Sequence, residues 1–173
     1  MGAITVNRIT NANIYVNGNS ILGQAEECSS PELKYVMADH KALGMVGKVE
    51  FFSGIDKMEF KIKWSSFYAD SLALFTDPFT PLSLQIRASA EVYTSAGRTD
   101  QIPVVIYLTC QNKGFPGASF KQHENADLES TLGATYMKVV MNGSDIIEFD
   151  VLANIFKVNG VDLLAGYKAN IGG

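Results

Sequence analysis

Charge is scarce in this chain. Only 18% of its 173 residues are Asp, Glu, Lys or Arg, and 47% are apolar. An ordinary domain is about 25% charged. Disorder is excluded, because it needs low hydrophobicity and high charge. So little charge also points to an outer surface partly covered by something else. Basic residues show no excess: 14 Lys and Arg face 18 Asp and Glu, a net charge of −4. Tight phosphate-driven binding of nucleic acid is therefore not expected. There are two cysteines, Cys28 and Cys110, and two histidines, His40 and His123. None has a metal-like spacing, and two cysteines are too few for a secreted disulfide scaffold. They read as buried free thiols. No apolar run approaches the roughly 18–20 residues of a membrane span, and no stable membrane binding is expected. The first residues carry no basic lead and no long apolar run, so no signal peptide is expected. Val6 stands where myristoylation needs Ser or Thr. No G-x-S-x-G elbow, P-loop or G-x-G-x-x-G is present. Glu26, Glu27 and Glu32 read as a solvated loop rather than an acid–base pair. No catalytic, cofactor-binding or metal residue is assigned, and the chain is not expected to be an enzyme.

What is present is mostly period two, the signature of strands. The length suits one domain, and a chain this long buries roughly 70% of its unfolded surface. Residues 13–17 are β-prone, and Asn17-Gly18 reads as a hairpin turn. Residues 33–39 suit a further strand. The clearest alternation puts Met58, Phe60, Ile62 and Trp64 on one face and Lys57, Glu59, Lys61 and Lys63 on the other. A longer one puts Leu82, Leu84, Ile86, Ala88, Ala90 and Val92 opposite Ser83, Gln85, Arg87, Ser89, Glu91 and Tyr93. Residues 95–98 turn, and 102–111 return. This strand spans about 35–40 Å, long beside a radius of gyration of about 16 Å. Such a hairpin is expected to overrun its own core. Residues 127–141 and 146–150 make another pair around Asn142-Gly143. One helix is expected from Ser65 or Ser66 to about Thr76, with Tyr68, Leu72 and Phe75 as its apolar stripe and Pro78 ending it. A short helical turn near 161–166 is the only other candidate. The architecture read from this pattern is mainly β, with one substantial helix packed on a sheet or barrel.

Two segments sit badly in a compact fold. Residues 41–47, carrying Leu43, Met45 and Val46, are apolar and punctuated by glycine, and 114–120 is similar. A loop of that kind is either folded back on the core or buried against a partner.

Several runs together carry a family resemblance. They are 11–18 with Gly23 and 31–34 near the start, and 40–50 in the odd loop. Residues 136–142 with 147–150, then 157–162, Leu164 and 170–172, complete the set. In order and spacing they resemble the major tail tube proteins of contractile-tailed phages and R-type tailocins, over nearly the whole chain. The resemblance implies one tail tube domain over residues 1–173, with a stacking loop at about 41–56. It implies a mainly β fold, a β-barrel or sandwich with one flanking α-helix, and hexameric rings with a continuous inner β-barrel, stacked head to tail inside a contractile sheath in the virion tail. Assembly would occur in the host bacterial cytoplasm. The partners implied are other copies of the chain, the sheath protein, baseplate and tail terminator proteins, and DNA in transit through the lumen during genome ejection. No cofactor is implied. Leu43, Gly44, Met45 and Val46 would form the ring-to-ring contact. The polar faces with Glu59, Lys61, Lys63, Gln85, Arg87, Ser89 and Glu91 would include the lumen lining or an inter-subunit face.

One feature fits that reading poorly. A conduit for DNA should be neutral or acidic, yet Lys57, Lys61 and Lys63 with Glu59 make a strip net positive by two. Two alternatives stand beside the tail tube. One is a tube protein of the type VI secretion kind, delivering effectors. The other is a small β-sandwich ligand-binding module, which a polar cluster around a pocket would favour.

Overall fold

A long hairpin with strands added on both sides organises the chain, as seen in a computed structural model that describes residues 4–172. The chain order begins β1 (Val6–Val16), β2 (Asn19–Ser20), β3 (Ala25–Cys28), β4 (Tyr35–His40), β5 (Val49–Ile55) and β6 (Met58–Trp64). Then come α1 (Ala69–Leu74), β7 (Leu82–Thr94), β8 (Gly97–Asn112), β9 (Ala118–Ser119) and β10 (Asp127–Met141). It closes with β11 (Ser144–Asp150), β12 (Ile155–Val158), β13 (Val161–Asp162) and α2 (Ala165–Ile171). One 11-stranded sheet runs β13-β12-β11-β10-β8-β7-β1-β2, with β3, β6 and β9 branching from it. β4 and β5 form a separate two-stranded sheet. Every strand pairing among the described residues is antiparallel, so short turns can make the local connections. Asn17-Gly18 and Asn142-Gly143 make two of them. Both residues of each have positive φ, as a type I′ turn needs.

The expected alternation of β6 is observed. Met58, Phe60, Ile62 and Trp64 are buried, with Ile62 and Trp64 fully so. On β7, Leu82, Leu84, Ile86 and Ala90 point inward. Leu108 and Cys110 of β8 and Leu128, Ser130 and Leu132 of β10 join them. One face of a single sheet thus supplies most of the core, which requires the sheet to curl over itself. Leu72 and Phe75 from around α1 plug the space left. The Phe75 ring meets Trp64 edge-on at 5.0 Å, a geometry worth about 0.5–1.5 kcal/mol beyond the area buried.

β10 carries the one feature that lets the sheet serve two neighbours. Its first half pairs with β6 and its second with β11, while β8 follows it along the other edge. Thr135 is an extra residue in the pairing with β8. Before it, Leu128, Ser130, Leu132 and Ala134 face inward; after it, Met137 does. A bulge of this kind adds one residue and bends the strand. The orphaned backbone is used: the Val151 N–H donates to the Thr135 carbonyl at 3.0 Å.

Two expectations are corrected. The sheet is open, not a closed β-barrel, because the path ends at β13 and β2 and these do not pair. Both are two residues long, too short to bridge the gap and close a cylinder. The barrel expected from the resemblance, in the subunit and continued through a ring, is not what this fold shows. There are also two helices among the described residues rather than one. The second, α2, follows β13 and ends on Gly172 in the left-handed region. It has no buried residue, so no apolar period announces it in the sequence.

The first helix is shorter than expected, six residues starting at Ala69. Ser65 does not cap it. Its hydroxyl donates to the Gln24 carbonyl at 2.9 Å, and its N–H donates to the same oxygen at 2.8 Å. Tertiary bonding to the turn before β3 takes the group that a cap would have used.

Candidate functional site

β4 and β5 form an arm that the sequence read partly as loop. The expected strand at 33–39 is found at Tyr35–His40, and the second half of the 41–56 segment is the returning strand β5. The turn at 41–48 contains Leu43, Gly44, Met45 and Val46. The Met45 N–H donates to the Ala42 carbonyl at 3.1 Å, and Gly44 has a φ of +88°. That is the arrangement of a type II turn, which asks for glycine at its third position. Leu43 and Val46 are fully exposed, at 105% and 109%, and Met45 is about half exposed.

Apolar exposure continues down the arm. Tyr35, Val36, Met37, Phe51 and Phe52 are each about half exposed. Tyr35, Met37 and Phe52 share one face by register, and Val36, Ala38 and Phe51 the other. Only the root is anchored. There the Tyr35 ring lies 6.3 Å from Phe156, and the Asp56 N–H donates to the Lys34 carbonyl at 2.9 Å. A lone two-stranded hairpin is marginal in water, and an apolar patch of this extent on a monomer marks a contact surface. The four turn residues therefore stand together at the tip of an uncovered arm.

The seven polar residues named from the sequence lie on outward faces, but in two separate places. Glu59, Lys61 and Lys63 are on β6, and Gln85, Arg87, Ser89 and Glu91 are on β7. β10 and β8 lie between those strands. The basic strip on β6 is neutralised within the chain. Lys57 lies 3.0 Å from Glu59, and Lys61 lies 2.6 Å from Glu129. Lys63 sits between Glu26 and Asp127, at 3.6 and 3.7 Å. Lys113 adds a second partner to Glu59. Lys113 and Lys57 together hold the Glu59 carboxyl down at about 2. The excess of positive charge read from the strand alone is cancelled by β3 and by the start of β10, which only folding brings beside it. Exposed pairs of this kind add little to stability because solvent screens them; their main effect here is on the local field.

On β7 the neighbours were invisible locally. Register places Tyr15, Gln85, Tyr107, Lys138, Glu148, Lys157 and Asp162 in one row across seven strands. Beside it, the Arg87 guanidinium lies 4.3 Å over the Tyr15 ring and donates to Gln85 Oε1 at 2.7 Å. Nearer the hairpin tip, Glu91 accepts from the Tyr93 hydroxyl at 2.8 Å and from Arg98 at 2.9 Å, which lowers its pKa. The outward face mixes signs. Only long-range pairing assembles the row, so alternation within single strands could not reveal it.

Chemistry of other kinds finds little to work with. Among the described residues no cluster of His, Cys, Asp or Glu could hold a metal ion. Cys28 lines a polar cleft of about 320 Å³ with Asn11, Asn13, Glu26 and Glu27. Burial, reinforced by Glu27, pushes its thiol up to about 12, so it stays protonated and weakly nucleophilic at neutral pH. His40 packs against the Phe51 ring on the arm at 5.8 Å. No helix of the described residues is long and apolar enough to cross a membrane.

Comparison with known proteins adds a family. A sequence model described as phage tail tube protein FII matches residues 6–172. The tail tube protein of Escherichia phage P2 is 26% identical over 161 residues, covering 92% of this chain and 94% of that protein. Among solved structures, two chains from an extracellular contractile injection system superimpose with a TM-score of 0.52 and 14% identity. One is from its sheath/tube terminator and one from its sheath-tube complex, both in the extended state. Each alignment covers 75% of this chain, with 91% of the first and 86% of the second.

Proposed function

From the premise that the chain belongs to the phage tail tube protein FII family, we propose that its copies stack head to tail through the β4–β5 arm. The chain is a structural tail tube protein, and its family has no catalytic role. In this reading hexameric rings stack into a tube within a contractile sheath. The tube meets baseplate and terminator proteins at its ends, and the genome passes through it on the way across the host envelope. The protein's place is the virion tail. Likeness in fold to chains of a sheath-tube complex supports the sheath as a neighbour. The chain's −4 becomes −24 over six copies, which suits passage of DNA, and internal pairing of the β6 strip removes the local objection to it.

The observation that carries the reading is the arm. Its apolar side chains are exposed on both faces and at the tip, and burying them against another copy is the favourable step. A fully buried Leu, Val or Met side chain contributes about 1.5–3 kcal/mol. A head-to-tail contact through the arm yields a filament rather than a closed dimer.

Negative-stain electron microscopy over a concentration series tests this directly. Hollow rings or tubes with sixfold end views are expected. The Met45→Ala variant should need a higher concentration to assemble while melting like the parent. Normal tubes from that variant would count against the arm as the stacking element.

A further inference from the structure

The arm needs a place to dock, and one end of the sheet offers it. β1, β6 and β8 finish at this end, and β7 and β10 begin there. Two connections cover it: residues 65–81 around α1, and residues 113–126 around β9. They expose Phe67, Leu74, Phe79, Phe115 and Phe120, with Phe79 at 90% and Phe120 at 72%. The Phe67 and Phe120 rings stack at 6.1 Å with 4° between their planes. That contact joins the two connections into one surface. The apolar residues 114–120 lie on this aromatic end.

Its charge is acidic on the α1 side, while Lys113 and Lys121 of the other connection are paired with Glu59 and Glu124. Asp70 is in the first turn of that helix. Asp77 accepts from the Phe79 N–H at 2.8 Å and from the Thr80 hydroxyl at 2.5 Å. These bonds fix the turn that holds Phe79 outward. The tip of the arm has the opposite character. Leu43, Met45 and Val46 sit between Lys41 and Lys48, and the Lys48 ammonium reaches only the exposed Asp39, at 3.2 Å.

We infer that the arm tip of one copy docks on the aromatic end of the next, with Lys41 and Lys48 against Asp70 and Asp77. The inference rests on the stacking reading and names the partner surface within it. Two apolar patches of opposite charge on different parts of one chain make a heterologous pair, which repeats without closing. Charge complementarity sets the partner and the register, and the apolar tip is what is buried.

A charge exchange tests it. One variant carries Lys41→Glu with Lys48→Gln on the arm. The other carries Asp70→Lys with Asp77→Asn at the aromatic end, where the Asn keeps the turn. Each alone should raise the concentration needed for tube growth by about tenfold, because the fault recurs at every contact of a ring junction. An equal mixture should assemble within about threefold of the parent, since each arm then finds an end of opposite sign. Circular dichroism below the assembly concentration checks that both variants are folded. A second readout leaves the charges alone. Leu43→Cys combined with Leu74→Cys should give, on oxidation of assembled protein, a covalent ladder extending past the dimer.

A parent that assembles while neither the mixture nor the cysteine pair responds overturns this docking and leaves the stacking reading standing. Normal assembly by each charge variant alone also overturns it, and frees the aromatic end for a different protein. A parent that never assembles removes both.

Discussion

Ser130 is the sharpest place to test the account of the core. It is fully buried, and its hydroxyl oxygen accepts the Trp64 indole N–H at 2.8 Å. Trp64 is itself fully buried, so no water can replace that acceptor. Ser130→Ala removes one small atom but strands a buried donor. The penalty for such a group is about 1–3 kcal/mol, whereas replacing both partners of a buried bond by apolar groups can be nearly neutral. In a chain of this size 1 kcal/mol moves the melting point by roughly 2–4 °C, so the variant should melt about 2–12 °C lower. Scanning calorimetry or far-ultraviolet dichroism below the assembly concentration reads this. Thr131→Ala, one residue along and facing outward, is the control and should stay within about 0.5 kcal/mol. A double variant with Trp64→Phe removes the stranded donor. The cycle should then return a coupling of about 0.5–3 kcal/mol. If Ser130→Ala melts with the parent, or the two substitutions are additive, the bond is not what orients the indole.

Two further outcomes follow from titration. Lys113 and Lys57 depress the Glu59 carboxyl from 4.5 to about 2. Its stabilising contribution is therefore complete above its unfolded value and is lost as pH falls from 4.5 toward 2. The melting difference between the parent and Glu59→Gln should be constant above that window and shrink within it. A difference that does not change with pH down to 2 refutes the assignment. Burial pushes Cys28 and Cys110 both to about 12. A thiol-specific disulfide reagent at pH 8 should label Cys110 only in urea and Cys28, on the cleft wall, slowly in the native chain; rapid native labelling of Cys110 would mean that the core opens.

The legible parts of the fold were those whose own strand meets the core on one side. β6 and β7 could be read because Met58 to Trp64 and Leu82 to Ala90 alternate between core and solvent. The end of β10 could be read from the Asn142-Gly143 turn that follows it. β1 was seen only at 13–17, yet it runs from Val6. Its first seven residues are exposed on both faces, riding on the stretch of β7 and β8 that outreaches the core. No burial means no hydrophobic period, so pairing alone makes that strand. The arm was half legible for a related reason: both faces of β4 and β5 carry apolar residues, and a pattern without a dry side reads as loop. The charge of the β6 strip was misjudged because its counterions come from Glu26, Asp127 and Glu129, more than thirty positions away on either side. The aromatic end was invisible as a unit, since its residues come from two connections that meet only once the sheet is formed.

Thr135 has a consequence for how this sequence can change. Upstream of it, the even-numbered residues of β10 carry the core; downstream, the odd-numbered Met137 does. The strand is thus written in two reading frames joined at one residue. Deleting Thr135 would join the two frames, with Ala134 and Met137 still inward and Tyr136 and Lys138 still outward, but it would remove the bend by which β10 passes from β6 to β11 and the carbonyl that accepts from Val151. An insertion or deletion on one side of Thr135 could be tolerated only with a compensating one before the joint. Substitutions, by contrast, are free to accumulate in either frame. Divergence along this strand should therefore run through exchanged side chains, with its length held fixed.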